Sequence, residues 1–157
     1  MKILIIGPSG SGKTTFAKKL TQKTKFPYFD LDNVYWNNDG DKKFIFKRTP
    51  EERVNLIHRI TQHSDWIVDG IYTKDWATPV YEQADHILFI HTNLWLRDYR
   101  ILKRFLKRLF GIEKNEPNGS IRALIALLCF NHRIEKDYRQ KIDTKIKECG
   151  KTYMIIR

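Results

Sequence analysis

Two patterns of apolar residues alternate along this chain from end to end: short continuous runs, and longer stretches with helical spacing. Ile3-Leu4-Ile5-Ile6 is a continuous, β-branched run, as expected of a strand buried on both faces of a parallel sheet. A Gly/Ser/Pro cluster ends it. Thr14 to Thr24 then carries Phe16, Ala17 and Leu20 at helical spacing, with lysines opposite. Pro27-Tyr28-Phe29 predicts a second strand leading into Asp30-Leu31-Asp32. Thr49-Pro50-Glu51-Glu52 predicts a helix start, with Thr as cap, Pro at the first position and Glu at the third, and Val54, Ile57 and Ile60 on one face. Trp66 to Gly70 and His86 to His91 predict two more strands, with a short helix opening at Thr78-Pro79 between them.

From Leu94 to Phe110 the pattern is helical and two-sided: Leu94, Ile101, Leu102, Phe105 and Leu109 form an apolar stripe, and Arg97, Arg100, Arg104 and Arg108 a basic one. Residues 111–119 read as a polar loop. A helix from Ser120 to Glu148, with a break expected near Asn131-His132, is capped by Gly150 and followed by a last strand over Thr152 to Ile156. Strand–helix alternation with no repeat or linker predicts one α/β domain over 1–157, a parallel sheet with helices on both faces. Ligands of such sheets bind at the carboxyl ends of the strands. The polar residues of interest fall there: Gly7 to Thr15, Asp30 with Asp32, and Asp69.

Charge sharpens this picture. The chain has 29 Lys plus Arg against 18 Asp plus Glu, a net charge of +11, which favours phosphate-bearing partners such as nucleotides or nucleic acids. With 41% hydrophobic residues it is not a disordered polyelectrolyte. Cys129 and Cys149 are too few for a disulfide framework and lack metal-ligand spacing; they read as ordinary buried or half-buried thiols, which fits a cytoplasmic setting. The apolar run Ala123 to Phe130 is far below the roughly 20 residues that span a bilayer, so no membrane partner is expected.

Gly7-Pro8-Ser9-Gly10-Ser11-Gly12-Lys13-Thr14 satisfies the phosphate-loop pattern G-x-x-x-x-G-K-[ST], with Thr15 continuing into the helix. Glycines let the backbone curl so that successive N–H groups point at an anion, and the following helix adds its N-terminal partial charge. Lys13 is placed to reach the β- and γ-phosphates of ATP, and the Thr14 hydroxyl to ligate Mg²⁺. Asp69 holds the position of a carboxylate that binds the metal through its water shell. Asp30 and Asp32, expected on one side of an extended chain, are candidates to orient an acceptor hydroxyl, with Asp32 preferred. Tyr35 and Trp36 offer either a stacking surface or core packing. Arg100 and Arg104, four apart, project from one helical face and suit a transferring phosphoryl group, and the loop beyond them, about 108–122, reads as a lid that excludes water.

The phosphate loop, Leu31-Asp32-Asn33-Val34-Tyr35-Trp36, Trp66-Ile67-Val68-Asp69-Gly70-Ile71-Tyr72 and the Arg100/Arg104 pair, in that order, resemble the adenylate-kinase-related proteins called DNA topology modulation proteins, or FlaR-like kinases. The resemblance implies a P-loop, nucleoside-monophosphate-kinase-like three-layer sandwich with a five-stranded parallel sheet ordered 2-3-1-4-5. It also implies that Asp69-Gly70 matches the Asp-Gly of adenylate kinases and that Arg100 and Arg104 match the arginines ahead of their lid. Related sequences often read Asp-Gly-Asn-Tyr where this chain has Ile71. The Asp30-Leu31-Asp32 pair is also similar to shikimate- and gluconate-kinase-like proteins, whose acceptor is a hydroxyl compound. The expected function is ATP- and Mg²⁺-dependent phosphoryl transfer to a small molecule, bound in a region over about 32–65, with a nucleoside or nucleotide ahead of a hydroxy acid. The competing reading is a nucleotide-gated DNA-binding protein with weak ATPase activity, a role the family's name implies.

Overall fold

Strand β1 (Lys2–Ile6) is buried on both faces because the alternation of its side chains feeds two cores. Ile3 and Ile5 pack with Ile67, Leu88, Ile90 and Ala17 on one side; Leu4 and Ile6 pack with Val68, Ile87 and Phe89 on the other. A continuous apolar run is what two covered faces demand. The computed structural model describes residues 1–38, 46–110 and 121–157.

The remaining elements are α1 (Lys13–Thr24), β2 (Tyr28–Asp30), α2 (Leu31–Tyr35), β3 (Trp36–Asn37), β4 (Phe46–Lys47), α3 (Pro50–Thr61), β5 (Trp66–Asp69), α4 (Thr78–Gln83), β6 (His86–Ile90), α5 (Leu94–Leu109), α6 (Ile121–Glu148) and β7 (Met154–Ile156). A single 3₁₀ turn, Asp75–Ala77, precedes α4. The main sheet is parallel and ordered β2-β5-β1-β6-β7, which is 2-3-1-4-5 when its own strands are counted, as the resemblance implies. This is the P-loop α/β fold expected from the sequence. Helix α1 covers one face with Phe16, Ala17 and Leu20, while α2, α3, α4 and α6 contribute Leu31, Ile57, Val80 and Ile142 to the other.

Helix α3 begins with the predicted capping box: Glu52 N–H donates to Thr49 Oγ1 at 3.2 Å and Thr49 N–H to Glu52 Oε2 at 2.7 Å. Helix α6 runs unbroken through Asn131-His132. No helix among the described residues is long and apolar enough to cross a membrane.

Besides the missing break in α6, four expectations change. Strand β2 stops at Asp30, and Asp32 lies in the first turn of α2, so the two aspartates do not share one side of an extended chain. Val54 is exposed rather than packed with Ile57 and Ile60. Cys129 is an exposed thiol. On α5 the predicted stripes split: Ile101 is buried, but Leu102 and Leu109 are exposed, and Arg97 is buried beside the phosphate loop instead of joining the basic stripe. Residues 39–45 of the expected acceptor region, residues 111–120 of the expected lid and the Arg108 side chain lie outside the described residues.

Candidate active site

The first turn of α1 has no side-chain cap, because its cap residue is Gly12, and no acidic residue occupies the first turn. Its free N–H groups therefore face whatever anion enters the loop before it. Two glycines make that loop feasible: Gly10 and Gly12 adopt φ of 76° and 92°, the left-handed region that side chains resist. Gly10 is also pressed against α5, where a Cβ would come 2.8 Å from the Arg97 carbonyl oxygen. The loop is tied down from outside. Ser11 N–H donates to Pro8 O at 3.2 Å, Thr92 Oγ1 to Ser11 O at 2.9 Å, and Arg100 Nη1 to Gly10 O at 3.2 Å and Ser11 O at 3.1 Å. With the Pro8, Gly10 and Ser11 carbonyls taken by these donors, fewer carbonyl oxygens are left to repel an anion in the loop. Gly7, Pro8 and Ser11 are buried; Ser9, Gly12, Lys13 and Thr14 are partly exposed, and Thr15 faces solvent. Arg104, one turn beyond Arg100, is exposed.

Sheet register assembles the carboxylates. Asp30 of β2 is the direct partner of Asp69 on β5, and Ile5 of β1 is its partner on the other side. Asp69 is fully buried, and neither of its oxygens has a hydrogen-bond partner of ordinary geometry among the described residues. Burial raises its pKa; Lys13, then the Thr14 hydroxyl, pull it down, the Asp32 charge raises it again and the Tyr28 hydroxyl lowers it. A buried carboxylate with two orphaned oxygens beside a cation and a hydroxyl costs stability unless something else enters. Those orphaned oxygens, with Thr14, fit a hydrated Mg²⁺, an ion that takes one or two protein ligands and completes its shell with water and phosphate. Among the described residues no three His, Cys, Asp or Glu side chains converge into a metal cage.

Asp30 is pushed to a pKa of about 7, by burial first and then by the charges of Asp69 and Asp32. Its Oδ1 accepts the Asp32 N–H at 2.8 Å and so caps α2. Asp32 Oδ1 accepts the Tyr72 hydroxyl at 2.8 Å. Gly70 holds the two strand ends together, since a Cβ there would lie 2.5 Å from Leu31 Cβ.

The aromatics beside this cluster are packed on one another. Tyr35 stacks on Tyr72 at 5.0 Å and 27°, and the Arg53 guanidinium lies 4.5 Å from the Tyr35 ring centre. An open cleft of about 430 Å³ lies next to them, lined by Asp30, Asn33, Arg48, Arg59 and His63 among others. Most of its lining comes from the expected acceptor region, with the end of β2 added, and it carries more positive than negative side chains.

The structure thus brings Lys13, Thr14, Asp69, Asp30, Asp32 and Arg100 to one end of the sheet. Sequence reasoning missed three contributors. Thr92 braces the loop from the end of β6, Tyr28 faces Asp69 with a hydroxyl that burial holds well above the tyrosine range, and Tyr72 grips Asp32. Tyr28 had a signal in its alternation with Asp30 on β2, and Tyr72 closed one of the segments that carry the resemblance without a role being given to it.

Comparison with known proteins agrees with this geometry. The model of the ATPase family associated with various cellular activities (AAA) matches residues 3–68, the stretch from β1 through β5. A shikimate kinase of Marinomonas sp. (strain MWYL1) is 39% identical over 138 residues, covering 80% of this chain and 74% of that one. The chain belongs to the P-loop kinases. A deoxyguanosine kinase of Bacillus subtilis (strain 168) is 29% identical over 154 residues, 93% of this chain and 72% of the other. The protein YqaC of the same organism is 30% identical over 114 residues, 73% of this chain; the chain spans only 60% of YqaC's length. Two solved kinases share the fold. They are a shikimate kinase from Acinetobacter baumannii in complex with shikimate (TM-score 0.61, 19% identity, 99% of this chain and 82% of that one) and a deoxyadenosine kinase from M. mycoides with bound dATP (0.57, 14%, 99% and 90%). These matches carry the kinase part of the resemblance noted in the sequence and not its DNA-related part.

Proposed function

We propose that this P-loop kinase transfers the γ-phosphoryl group of ATP to a hydroxyl of a small compound that also carries a negative charge. The observation that carries the reading is Asp69: buried, orphaned, register-paired with Asp30 and placed beside Lys13 and Thr14 at the mouth of the phosphate loop. The backbone N–H groups of Ser9, Gly10 and Gly12 to Thr15 and the Lys13 ammonium bind the phosphates. Thr14 and Asp69 would hold Mg²⁺, which, when bound, neutralises charge on the β- and γ-oxygens. Asp32 orients the acceptor hydroxyl and takes its proton as the acceptor oxygen bonds to the γ-phosphorus and ADP leaves with the bridging oxygen. Arg100 and Arg104 place positive charge on the flank where the phosphoryl group moves.

The acceptor class rests on two features. The rings of Tyr35 and Tyr72 are spent on each other and on Arg53, which leaves no slot for a base between them. The neighbouring cleft instead offers Arg48, Arg59 and Asn33, groups that suit a carboxylate or phosphate on the acceptor. A nucleoside acceptor is the second reading, favoured by the likeness to deoxyguanosine kinase over 93% of the chain. The test is ADP release from Mg·ATP against a panel of hydroxy acids, including shikimate, and of nucleosides, including deoxyguanosine. Stimulation by anionic hydroxyl compounds supports the first reading. Stimulation by nucleosides alone replaces it with the second.

A further inference from the structure

We infer that Tyr72 is a positioning residue for phosphoryl transfer: its hydroxyl fixes the Asp32 carboxylate and ties it to the strand end that carries Asp69. The inference rests on the role given to Asp32 above and extends it.

Asp32 sits in the first turn of α2, a helix of five residues, too short to hold a side chain in place by its own cooperativity. Its support comes from outside. The Tyr72 hydroxyl donates to Oδ1 at 2.8 Å across 40 residues of sequence, which leaves Oδ2 for an acceptor hydroxyl. Tyr72 is itself held from three sides. Its ring stacks on Tyr35 at 5.0 Å and leans on Trp76 at 5.1 Å, and its backbone carbonyl accepts the hydroxyl of the fully buried Tyr81 at 3.0 Å. The same segment begins at Asp69-Gly70, and Gly70 abuts Leu31, the first residue of α2. Two contacts, Gly70 with Leu31 and Tyr72 with Asp32, therefore join the metal-facing carboxylate to the acceptor-facing one. Burial and the Asp32 charge keep the Tyr72 hydroxyl protonated far above neutrality, so it stays a donor throughout the working range. Phosphoryl transfer depends on placement more than on covalent help, and small displacements of an orienting group are costly.

The experiment is a double-mutant cycle of Tyr72→Phe and Asp32→Asn, read as ADP release from Mg·ATP with shikimate and with deoxyguanosine as acceptor probes. Phe keeps the ring stack and removes only the hydroxyl. Tyr72→Phe is expected to lower kcat about ten- to a hundredfold, the range for losing a hydrogen bond to a charged group, with KM for ATP unchanged. The ATP-induced rise in melting temperature stays as in the wild type, which separates positioning from folding. In the Asp32→Asn background the same substitution costs nothing further. An equal loss in both backgrounds makes Tyr72 a structural residue and overturns the inference, as does a wild-type kcat in Tyr72→Phe when Asp32→Asn is inactive. Full activity of Asp32→Asn overturns the role of Asp32 first and that of Tyr72 with it. A wild type that turns over neither probe counts against the acceptor reading and removes the ground for both.

Discussion

Replacing Asp30 by Asn should stabilise the metal-free protein, by an amount that grows from nothing near pH 4 to its full size above neutrality. Asn caps a helix as well as Asp does, so the hydrogen bond from the Asp32 N–H to the side chain at position 30 survives, and α2 keeps its start. What disappears is a carboxylate facing Asp69 across the sheet. In the native state its pKa is raised to about 7, against the ordinary carboxylate value of 3.8. A native carboxyl that binds its proton more tightly than the unfolded one contributes stability fully present below about pH 4. That stability is lost as pH rises toward 7. The difference of about three units sets a ceiling of about 4 kcal/mol at pH 8. Partial exposure and the mutual influence of the Asp30 and Asp69 charges bring the expected gain from Asn to about 1–2 kcal/mol, or about 2–8 °C in melting temperature for a domain of this size. Thermal unfolding in EDTA from pH 4 to 8.5 measures it. The curves of wild type and Asp30→Asn should meet near pH 4 and separate steadily above it. A constant offset at all pH values, or a variant less stable at pH 8, would refute the carboxylate-crowding argument.

Three further outcomes follow from the same geometry. Gly70→Ala places a Cβ 2.5 Å from Leu31 Cβ; forced rearrangement should cost about 1–3 kcal/mol and lower the melting temperature by several degrees, so an unchanged melting curve contradicts the close contact. Arg100→Ala removes the donors to Gly10 O and Ser11 O, so it should weaken ATP binding about tenfold as well as slow turnover, read by titration calorimetry and steady-state rates. Arg104→Ala, exposed and without such a tie, should slow turnover on the order of 10³ with ATP affinity nearly intact; matching losses in affinity for both arginines would deny them separate roles.

The parts of the molecule legible in the sequence are those where one local rule dominates. The run Ile3 to Ile6, the Gly7 to Thr14 loop and the Thr49/Glu52 capping box each declare themselves, because burial on two faces, anion-binding backbone and end-capping leave strict patterns. The placement of Asp32 did not. A five-residue helix is shorter than any reliable period, and the aspartate that caps it looks the same as one that ends a strand. The antiparallel pair of β3 and β4, two residues each, is hidden for the same reason. Helix α5 misled by its strength: a strongly two-sided pattern names two faces but not which neighbour takes each, and the loop's need for a close backbone drew Arg97 inward. Tyr72 and Thr92 act through contacts 40 and 81 residues away, which no local pattern records.

The central claim is that the γ-phosphoryl group is handed to an organic acceptor and not to water. It is tested most directly by following the terminal phosphate of γ-labelled Mg·ATP with the mixed hydroxy-acid and nucleoside panel, with Lys13→Ala run beside the wild type. The account predicts label in an acid-stable phosphate ester, dependent on the acceptor and absent from Lys13→Ala. Label recovered entirely as inorganic phosphate at a rate no acceptor changes, or equal transfer by Lys13→Ala, would contradict it.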